Sequence, residues 1–245
     1  MCTGAHNIVQ LAWTSDEKRR LGVMSINGRV SGILMEAVSG VPLHEAVCLP
    51  AWHREIRKPA VLSLAKALVE LHKRDLVHGD LHTGNFLVST SSFEATLIDL
   101  GKTQLAEKGM HVYGTGGWRA PEVCKGRTRI NGLNAFALDV WALSVTFCCM
   151  LVNVTRLREY DRNAVMSGGA QDALTAFYAR QIPLAGQIHP QHAHKLAQTM
   201  HHHSPYGSVH ESSRMWRAAA MGLRKWPAER ATAAQIVQAM QHHAP

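Results

Sequence analysis

Two long stretches of the chain have the apolar content and spacing of helices. The first is residues 58–73, whose apolar side chains recur with the i, i+3, i+4 spacing of an amphipathic helix, as at Val61, Leu64 and Leu68. The second, residues 135–151, is apolar nearly all round. A helix without a polar face is typical of a protein interior. The pattern therefore predicts one helix against the core and one buried within it.

Shorter apolar runs have the character of strands. LGVMSI and RVSGILMEAV flank Asn27-Gly28, and Asn-Gly between β-prone runs predicts a hairpin because both turn residues adopt positive φ readily. Residues 39–42, Ser-Gly-Val-Pro, interrupt the pattern with turn formers. Further along, Phe86–Val88 and residues 96–98 are predicted to be two short strands.

The C-terminal part is predicted to contain two more helices, at 212–224 and at Ala233–Gln241. Thr232 is followed three residues later by Gln235, which is the spacing of a capping box at a helix N-terminus. Glycines and prolines between 161 and 210 predict loops around one helix near 170–180.

Candidate chemistry lies between the first helix and the short strands. LVHGDLHTGNFLV places Asp80 five residues before Asn85, and ATLIDLG supplies Asp99 after the next apolar run. Each motif alone also fits an ordinary turn, since Gly, Asp and Asn favour turns. Together, beside neighbouring strands, they suit phosphoryl transfer. Asp80 would orient a hydroxyl, and Asn85 and Asp99 would hold Mg²⁺ on the phosphates of a nucleotide.

The order and spacing of these residues resemble the catalytic loop and the Asp-Phe-Gly magnesium motif of the protein kinase fold. Three further segments follow in the family's order. GTGGWRAPE, 114–122, resembles the end of an activation segment; LDVWALS, 138–144, resembles the start of the buried central helix; WPAERAT, 226–232, resembles the element before the last helix. In the family, the arginine of the last element pairs with the glutamate of Ala-Pro-Glu, which implies a contact between Arg230 and Glu122.

The resemblance implies an α+β, protein kinase-like fold with a mainly helical large lobe and a truncated antiparallel β small lobe. The implied division is a partial small lobe at 1–38, a hinge at 39–42 and a large lobe at 43–245. HNIVQL, at the start of the chain, resembles the segment that leads into the fourth strand of the small lobe. Ser144 stands where the family usually has glycine.

The resemblance also implies a nucleotide site. Met35 would be the gatekeeper, and the backbone of Glu36 and Val38 would contact adenine. Leu87 and Asp99 would belong to the same cofactor site. The implied cofactors are ATP and Mg²⁺, with Asn85 and Asp99 as the metal ligands.

Four residues are assigned to catalysis by the resemblance: Asp80, His82, Asn85 and Thr115. Thr115 matches the threonine that serine/threonine kinases direct at the catalytic aspartate. Those kinases carry a lysine two residues after the aspartate, where this chain has His82, and His82 would therefore lie beside the transferred phosphate.

The chain also departs from the family's pattern. No Gly-x-Gly-x-x-Gly motif occurs in the 245 residues, and no residue ahead of the matched segment corresponds to the strand lysine or the helix glutamate that grip the α- and β-phosphates. Losing such a charge typically costs roughly three powers of ten in rate. Weak or absent turnover by the isolated chain is therefore expected.

The catalytic loop has His78-Gly79-Asp80 in place of His-Arg-Asp. This loop is similar to that of small-molecule phosphotransferases such as aminoglycoside and choline kinases. Those enzymes lack the Gly-Thr to Ala-Pro-Glu segment that this chain has, which favours the protein kinase branch. Leu100 replaces the phenylalanine of Asp-Phe-Gly and is still apolar.

Three functional hypotheses follow. The first is a serine/threonine protein kinase that acts on a protein substrate and would need the unmatched part of its small lobe from a protein partner or from an upstream exon. The second is a pseudokinase or scaffold that binds proteins without catalysis. The third is a truncated kinase gene product. The retained Asp80, Asn85 and Asp99 favour the first, and the unmatched lysine favours the other two.

Composition and charge do not distinguish the three functional hypotheses. The net charge is +8, but the basic residues are scattered and no base-reading motif is visible, so a solvated surface is favoured over nucleic-acid binding. Five cysteines without regular spacing predict a reducing, cytoplasmic location. No signal peptide is apparent, and the longest apolar run is too short to span a membrane. Adjacent histidines at 201–203 and 242–243 are interpreted as surface residues rather than metal ligands.

Overall fold

A computed structural model of the chain describes residues 6–10, 23–26, 29–46, 54–106, 110–111, 114–115, 118–124, 129–130, 132–151, 209–224 and 226–241. Asn27 and Gly28, predicted to form the hairpin turn, and the helix predicted near 170–180 lie outside the described residues.

Within these ranges the architecture is mixed α+β. The α-helices are Leu43–Ala46 (α1), Arg54–His72 (α2), Pro121–Cys124 (α3), Gly132–Leu151 (α4), Val209–Gly222 (α5) and Ala233–Gln241 (α6). The strands are Val23–Ile26 (β1), Arg29–Ile33 (β2), Val41–Pro42 (β3), Leu76–Val77 (β4), Phe86–Val88 (β5), Ala95–Leu97 (β6), Gln104–Leu105 (β7), Met110–His111 (β8) and Arg129–Ile130 (β9). Single 3₁₀ turns occupy Thr83–Asn85 and Pro227–Glu229.

The predicted N-terminal hairpin is confirmed. β1 and β2 pair antiparallel, with Ile26 opposite Arg29, so that two residues connect the strands. The register shifts between Met24 and Ser25, which is the irregularity of a β-bulge. This two-stranded sheet is the antiparallel β part that the sequence predicts ahead of residue 39. The division of the chain into lobes and a hinge stays a prediction.

A second sheet carries the residues next to the candidate site. Its strand order is β3-β5-β6, all antiparallel, with Phe86 opposite Leu97. The predicted strand at 96–98 is observed one residue earlier, as β6. The N-terminal segment runs alongside β6 in parallel, because Leu97 accepts a hydrogen bond from Val9 N–H at 2.8 Å and donates one to the Asn7 carbonyl at 2.7 Å.

Helix α2 begins four residues earlier than the periodicity predicts. Pro59 lies inside it, in the second turn, where it removes one hydrogen bond of the helix without ending it. Ser63 joins this helix to the second sheet: its hydroxyl donates to the Pro59 carbonyl at 2.8 Å and accepts the Ala95 N–H at 2.8 Å. The buried hydroxyl is therefore satisfied on both sides.

Helix α4 is the buried helix that the sequence predicts. Every side chain described from Leu138 to Met150 is buried, and α4 packs on α5 and α2. The approach to α5 is very close at one point. A Cβ on Gly222 would overlap Ser144 Oγ and lie 3.0 Å from the Val140 carbonyl oxygen. A side chain at position 222 would therefore displace the Ser144 hydroxyl and press against the backbone of α4.

The C-terminal helix is capped as predicted. Thr232 N–H donates to Gln235 Oε1 at 2.8 Å, and Gln235 N–H donates to Thr232 Oγ1 at 3.2 Å. This reciprocal pair is a capping box, and it satisfies two N–H groups that a helix start leaves without intrahelical partners. None of the helices in the described ranges has both the length and the apolar character needed to cross a bilayer.

A buried ion pair links the start of α3 to the segment before α6. Arg230 donates to both carboxylate oxygens of Glu122, at 2.7 Å each, and the two residues are each 8% exposed. The guanidinium also donates to the carbonyls of Ala137 and Arg224 and lies 5.0 Å from the centre of the Trp141 ring. The contact inferred between Glu122 and Arg230 is confirmed.

We predict that Arg230→Met lowers the free energy of unfolding by about 3–5 kcal/mol, because the Glu122 carboxylate is left buried without its cation. Lys73→Met is the matched control. Its ammonium contacts Glu70 at 2.9 Å on the surface, and exposed pairs contribute about 0–1 kcal/mol. Urea unfolding of both variants measures the difference.

The double variant Glu122→Leu/Arg230→Met sharpens this test. It removes both charges, so its cost should be smaller than the sum of the two single substitutions. Equal losses in Arg230→Met and Lys73→Met would contradict the assignment of a stabilising buried pair.

Candidate active site

The carboxylate of Asp139, on α4, anchors the loop that carries Asp80. Asp139, 1% exposed, accepts the His78 N–H at 2.7 Å on one oxygen and the Gly79 N–H at 2.9 Å on the other. His72 Nε2 lies 3.2 Å from the same carboxylate. Gly79 has φ +77°, a left-handed conformation that favours glycine. Both loop amides are therefore satisfied, and the backbone at Asp80 is fixed.

Asp80 is 8% exposed, and its two carboxylate oxygens have different partners. Thr115 Oγ1 donates to Oδ1 at 2.8 Å, and Lys102 Nζ donates to Oδ2 at 2.7 Å. Burial alone would raise the pKa of Asp80, but the hydrogen bonds from Lys102 and Thr115 outweigh it and hold this pKa below its ordinary value. Asp80 is therefore ionised at neutral pH and oriented at both oxygens.

Asn85 and Asp99 lie beside this loop. Asn85 Nδ2 donates to the Asp80 carbonyl at 2.9 Å, and the Asn85 carbonyl accepts the Ile98 N–H at 2.9 Å. The second bond places Asp99 next to Asn85. Asp99 has φ +53°, which is uncommon outside glycine, and its Oδ1 accepts the Gly101 N–H at 3.0 Å. The structure therefore brings Asp80, Asn85, Asp99 and Thr115 together.

The donor set of Asn85 and Asp99 fits magnesium. The Asn85 amide nitrogen is turned toward the Asp80 carbonyl, which leaves its amide oxygen as an acceptor on the other side. Asp99 is exposed and carries a carboxylate. Magnesium is bound through one or two such oxygens together with substrate phosphates. Their role as metal ligands stays a prediction.

His82 has partners other than the Asp80 carboxylate. Its Nδ1 accepts a hydrogen bond from the Gly84 N–H at 3.0 Å. Its ring packs edge-to-face against the Trp118 ring, with 5.9 Å between the ring centroids. Burial lowers the pKa of His82, because desolvation disfavours the charged ring. The place of His82 beside the transferred phosphate stays a prediction. Its ring is neutral in this arrangement, because Nδ1 accepts a hydrogen bond.

The residues predicted to bind adenine follow β2. Met35 is 50% exposed, and Glu36 is bonded to Gln10: Glu36 N–H donates to the Gln10 carbonyl at 3.0 Å, and Glu36 Oε1 accepts the Gln10 N–H at 2.8 Å. Val38 is half-buried. Leu87 lies in β5, two residues after Asn85. The gatekeeper role of Met35 and the adenine contacts of Glu36, Val38 and Leu87 stay predictions.

Sequence reasoning missed Lys102. The motifs predict that His82 lies beside the transferred phosphate next to Asp80. In the structure the side chain of Lys102, 22 residues after Asp80, contacts the Asp80 carboxylate. The signal that could have indicated it is a cation three residues after Asp99. Leu100, in the same segment, packs against the main core, as its apolar character predicts.

A shallow cavity opens next to Asp80. Its lining includes Gly79, Gly114, Trp118, Val123 and Leu138. Trp118 is 2% exposed and donates from Nε1 to Thr146 Oγ1 at 3.2 Å, so one wall of the cavity is fixed to α4. The arrangement combines an ionised, oriented carboxylate with an adjacent concave surface.

We predict that stability falls as the pH is lowered below about 6.5. Burial lowers the pKa of His78, because desolvation outweighs the nearby charges of Asp139, Asp80 and Asp99. The unfolded chain then takes up a proton that the folded chain excludes, which costs about 1.4 kcal/mol per pH unit for each such proton. Stability is therefore full above this range and decreases as the pH falls toward the folded-state pKa.

His78→Asn tests this dependence, since its side-chain oxygen can replace Nδ1 as the acceptor of the Asp80 N–H. Unfolding measured between pH 5 and 7 should show a smaller pH slope in the variant. Leu71→Ala, which removes a fully buried apolar side chain, should lower stability without changing the slope. An unchanged slope in His78→Asn would contradict the prediction.

Comparison with known proteins gives the family. The family model described as a protein kinase domain matches residues 3–242. Probable serine/threonine-protein kinase CCRP1 of Zea mays is 32% identical over 125 residues, which are 49% of this chain and 19% of that protein. Mitogen-activated protein kinase kinase kinase 10 of Xenopus laevis is 30% identical over 155 residues, 58% of this chain and 15% of that protein.

Serine/threonine-protein kinase SBK1 of Danio rerio is 34% identical over 98 residues, 39% of this chain and 26% of that protein. The matches thus span about a quarter or less of these relatives' length. The family match extends over nearly all of the chain. The chain belongs to the protein kinase family.

Proposed function

We propose that the chain transfers the γ-phosphoryl group of ATP to a serine or threonine hydroxyl of a protein substrate. The observation that carries the proposal is the Asp80 carboxylate, ionised and held at one oxygen by Thr115 and at the other by Lys102. A carboxylate of this kind can orient a hydroxyl and accept its proton. The serine/threonine class is supported by the contact of Thr115 with Asp80 and by the names of the relatives from Zea mays and Danio rerio.

In the proposed reaction, the substrate hydroxyl oxygen forms a bond to the γ-phosphorus while the bond from that phosphorus to the bridging oxygen breaks. ADP leaves, and the hydroxyl proton passes to Asp80. Magnesium, held by Asn85 and Asp99 with the phosphates, would offset the negative charge of the nucleotide. Asp139 contributes by fixing the loop backbone, so that Asp80 does not have to be reoriented for each turnover.

A second candidate is a protein-binding scaffold without catalysis. The observation that favours it is a run of exposed apolar side chains at the end of β2: Ile33 is 63% exposed, Leu34 41% and Met35 50%. Exposed apolar surface of this kind often marks a protein interaction site. The two candidates differ in whether Asp80 is needed for a measurable activity.

We predict that Asp80→Asn lowers phosphate transfer, already expected to be weak, by about 10²–10⁴-fold or to background, because the amide cannot accept the hydroxyl proton. Transfer from radiolabelled ATP to a mixed serine/threonine substrate measures this. Asp75→Asn is the matched control: it makes the same chemical change at an exposed aspartate with φ +54°, a conformation that asparagine also adopts. Equal transfer by the wild type and Asp80→Asn would rule out this chain as the catalyst and leave the scaffold.

We predict that Asp99→Asn weakens binding of ATP with magnesium by at least about tenfold, the smallest loss typical of disturbing a metal site. The reason is the loss of a charged oxygen ligand. Calorimetric titration is the measurement, and Glu94→Gln, the same change at an exposed carboxylate, is the control. Removal of magnesium with a chelator should equalise the wild type and Asp99→Asn. Affinity that is indifferent to both changes would contradict the site.

A further inference from the structure

We propose that Lys102 presents the positive charge that meets the terminal phosphate of ATP beside Asp80, in place of the lysine that serine/threonine kinases carry two residues after this aspartate. The inference rests on the proposed function and adds a catalytic residue to it. The observation that carries it is the contact of Lys102 Nζ with Asp80 Oδ2 at 2.7 Å.

The strand pairing explains why these two residues meet. β4 and β7 are antiparallel, with Val77 opposite Gln104. Asp80 follows Val77 by three residues and Lys102 precedes Gln104 by two, so both lie at the same end of the pair. The backbones are also close there, because a Cβ on Gly79 would be 3.3 Å from the Lys102 carbonyl oxygen. The position of Lys102 is therefore set by the fold.

The exposed fractions of the two side chains indicate which of them faces the opening of the site. The Lys102 side chain is 46% exposed, against 10% for the side chain of Asp80. The cation therefore lies at the opening of the site and the carboxylate behind it. An ammonium group has three N–H donors, and Asp80 Oδ2 accepts one of them. The others can reach an anion that arrives from the cleft, such as a terminal phosphate.

His82 does not supply this charge in the observed arrangement. Its Nδ1 accepts a hydrogen bond from Gly84 N–H, and a ring nitrogen that accepts a hydrogen bond carries no proton. Lysine is a compact cation suited to binding phosphate. The chain therefore keeps a cation next to Asp80 but takes it from the segment after Asp99.

An acyl-phosphate derivative of ATP tests the position of Lys102 without requiring turnover. The lysine nitrogen attacks the acyl carbon, the bond from that carbon to the terminal phosphate oxygen breaks, and ATP leaves while the lysine becomes an amide. Peptide mass spectrometry should show Lys102 labelled, with at least tenfold suppression by excess ATP and magnesium. Labelling of Lys66, exposed on α2, should not change. ATP protection of other lysines but not of Lys102 would overturn the inference alone.

Turnover gives the second readout. Lys102→Met should lower kcat by about 10²–10³-fold, the range for losing one charge-stabilising group. Lys102→Arg should retain part of the activity, and adding His82→Lys to Lys102→Met should restore part of it, because each returns a cation to the site. Lys66→Met should leave kcat unchanged, and thermal unfolding should show that all variants are folded.

The remaining outcomes separate the two proposals. Transfer that requires Asp80 but is unaffected by Lys102→Met would overturn the inference and leave the proposed function intact. A rise in activity in Lys102→Met would show that Lys102 covers the carboxylate instead of assisting, which also overturns it. Absence of transfer together with absence of ATP protection at every lysine would overturn the proposed function, and the inference with it.

Discussion

The carboxylate of Asp139 is the contact on which the candidate site depends. Loop backbones carry N–H groups that need partners, and here two consecutive amides, of His78 and Gly79, are satisfied by one side chain. That side chain projects from a helix whose described residues from Leu138 onward are buried. The loop therefore takes its geometry from a helix that is buried in the core, and the orientation of Asp80 follows from it.

The same helix holds the other side of the site. The Trp118 side chain donates a hydrogen bond to Thr146 of α4. The Ala137 carbonyl and the Trp141 ring, also on α4, contact Arg230. The segment that contains Thr115 is thus anchored to α4 on its C-terminal side, directly through Trp118 and indirectly through the pair of Glu122 and Arg230. The loop that contains Asp80 is anchored to the same helix through Asp139. A hydrogen bond of 2.8 Å between Thr115 and Asp80 can persist because both partners are supported by one helix. Preorganisation of this kind lowers the cost of orienting the reacting groups.

Much of this arrangement could be predicted from the sequence, wherever a signal within a short stretch of residues determines the element. Helix α6 has the predicted bounds because a capping box marks its start. The start of α4 was predicted within three residues of the observed one, because a long segment that is apolar on every side is typical of a buried helix. Glu122 and Arg230 were paired through the family's motifs. Helix α2 was predicted too short at its N-terminal end, since residues 54–57, Arg-Glu-Ile-Arg, contain a single apolar residue and give no periodic signal.

The contact of Lys102 with Asp80 could not be predicted in the same way. It depends on the register of β4 and β7, which have two residues each, and a two-residue strand has no detectable period. The exposure of Met35 was equally out of reach, because the neighbours of an apolar residue decide whether it is buried. His82 was assigned by its place in a motif, whereas its hydrogen bond to Gly84 depends on the local 3₁₀ turn.

The close approach of α4 and α5 has a consequence for how this sequence can vary. The family usually has glycine where this chain has Ser144, and here the residue without a side chain is instead Gly222, on the opposite helix. Glycine at position 144 would remove the contact with Oγ but not the contact with the Val140 carbonyl oxygen, 3.0 Å from a Cβ at position 222. A side chain at position 222 therefore requires both a smaller residue at position 144 and a shift of α4 at Val140. A substitution at either position should be read together with its partner across the interface.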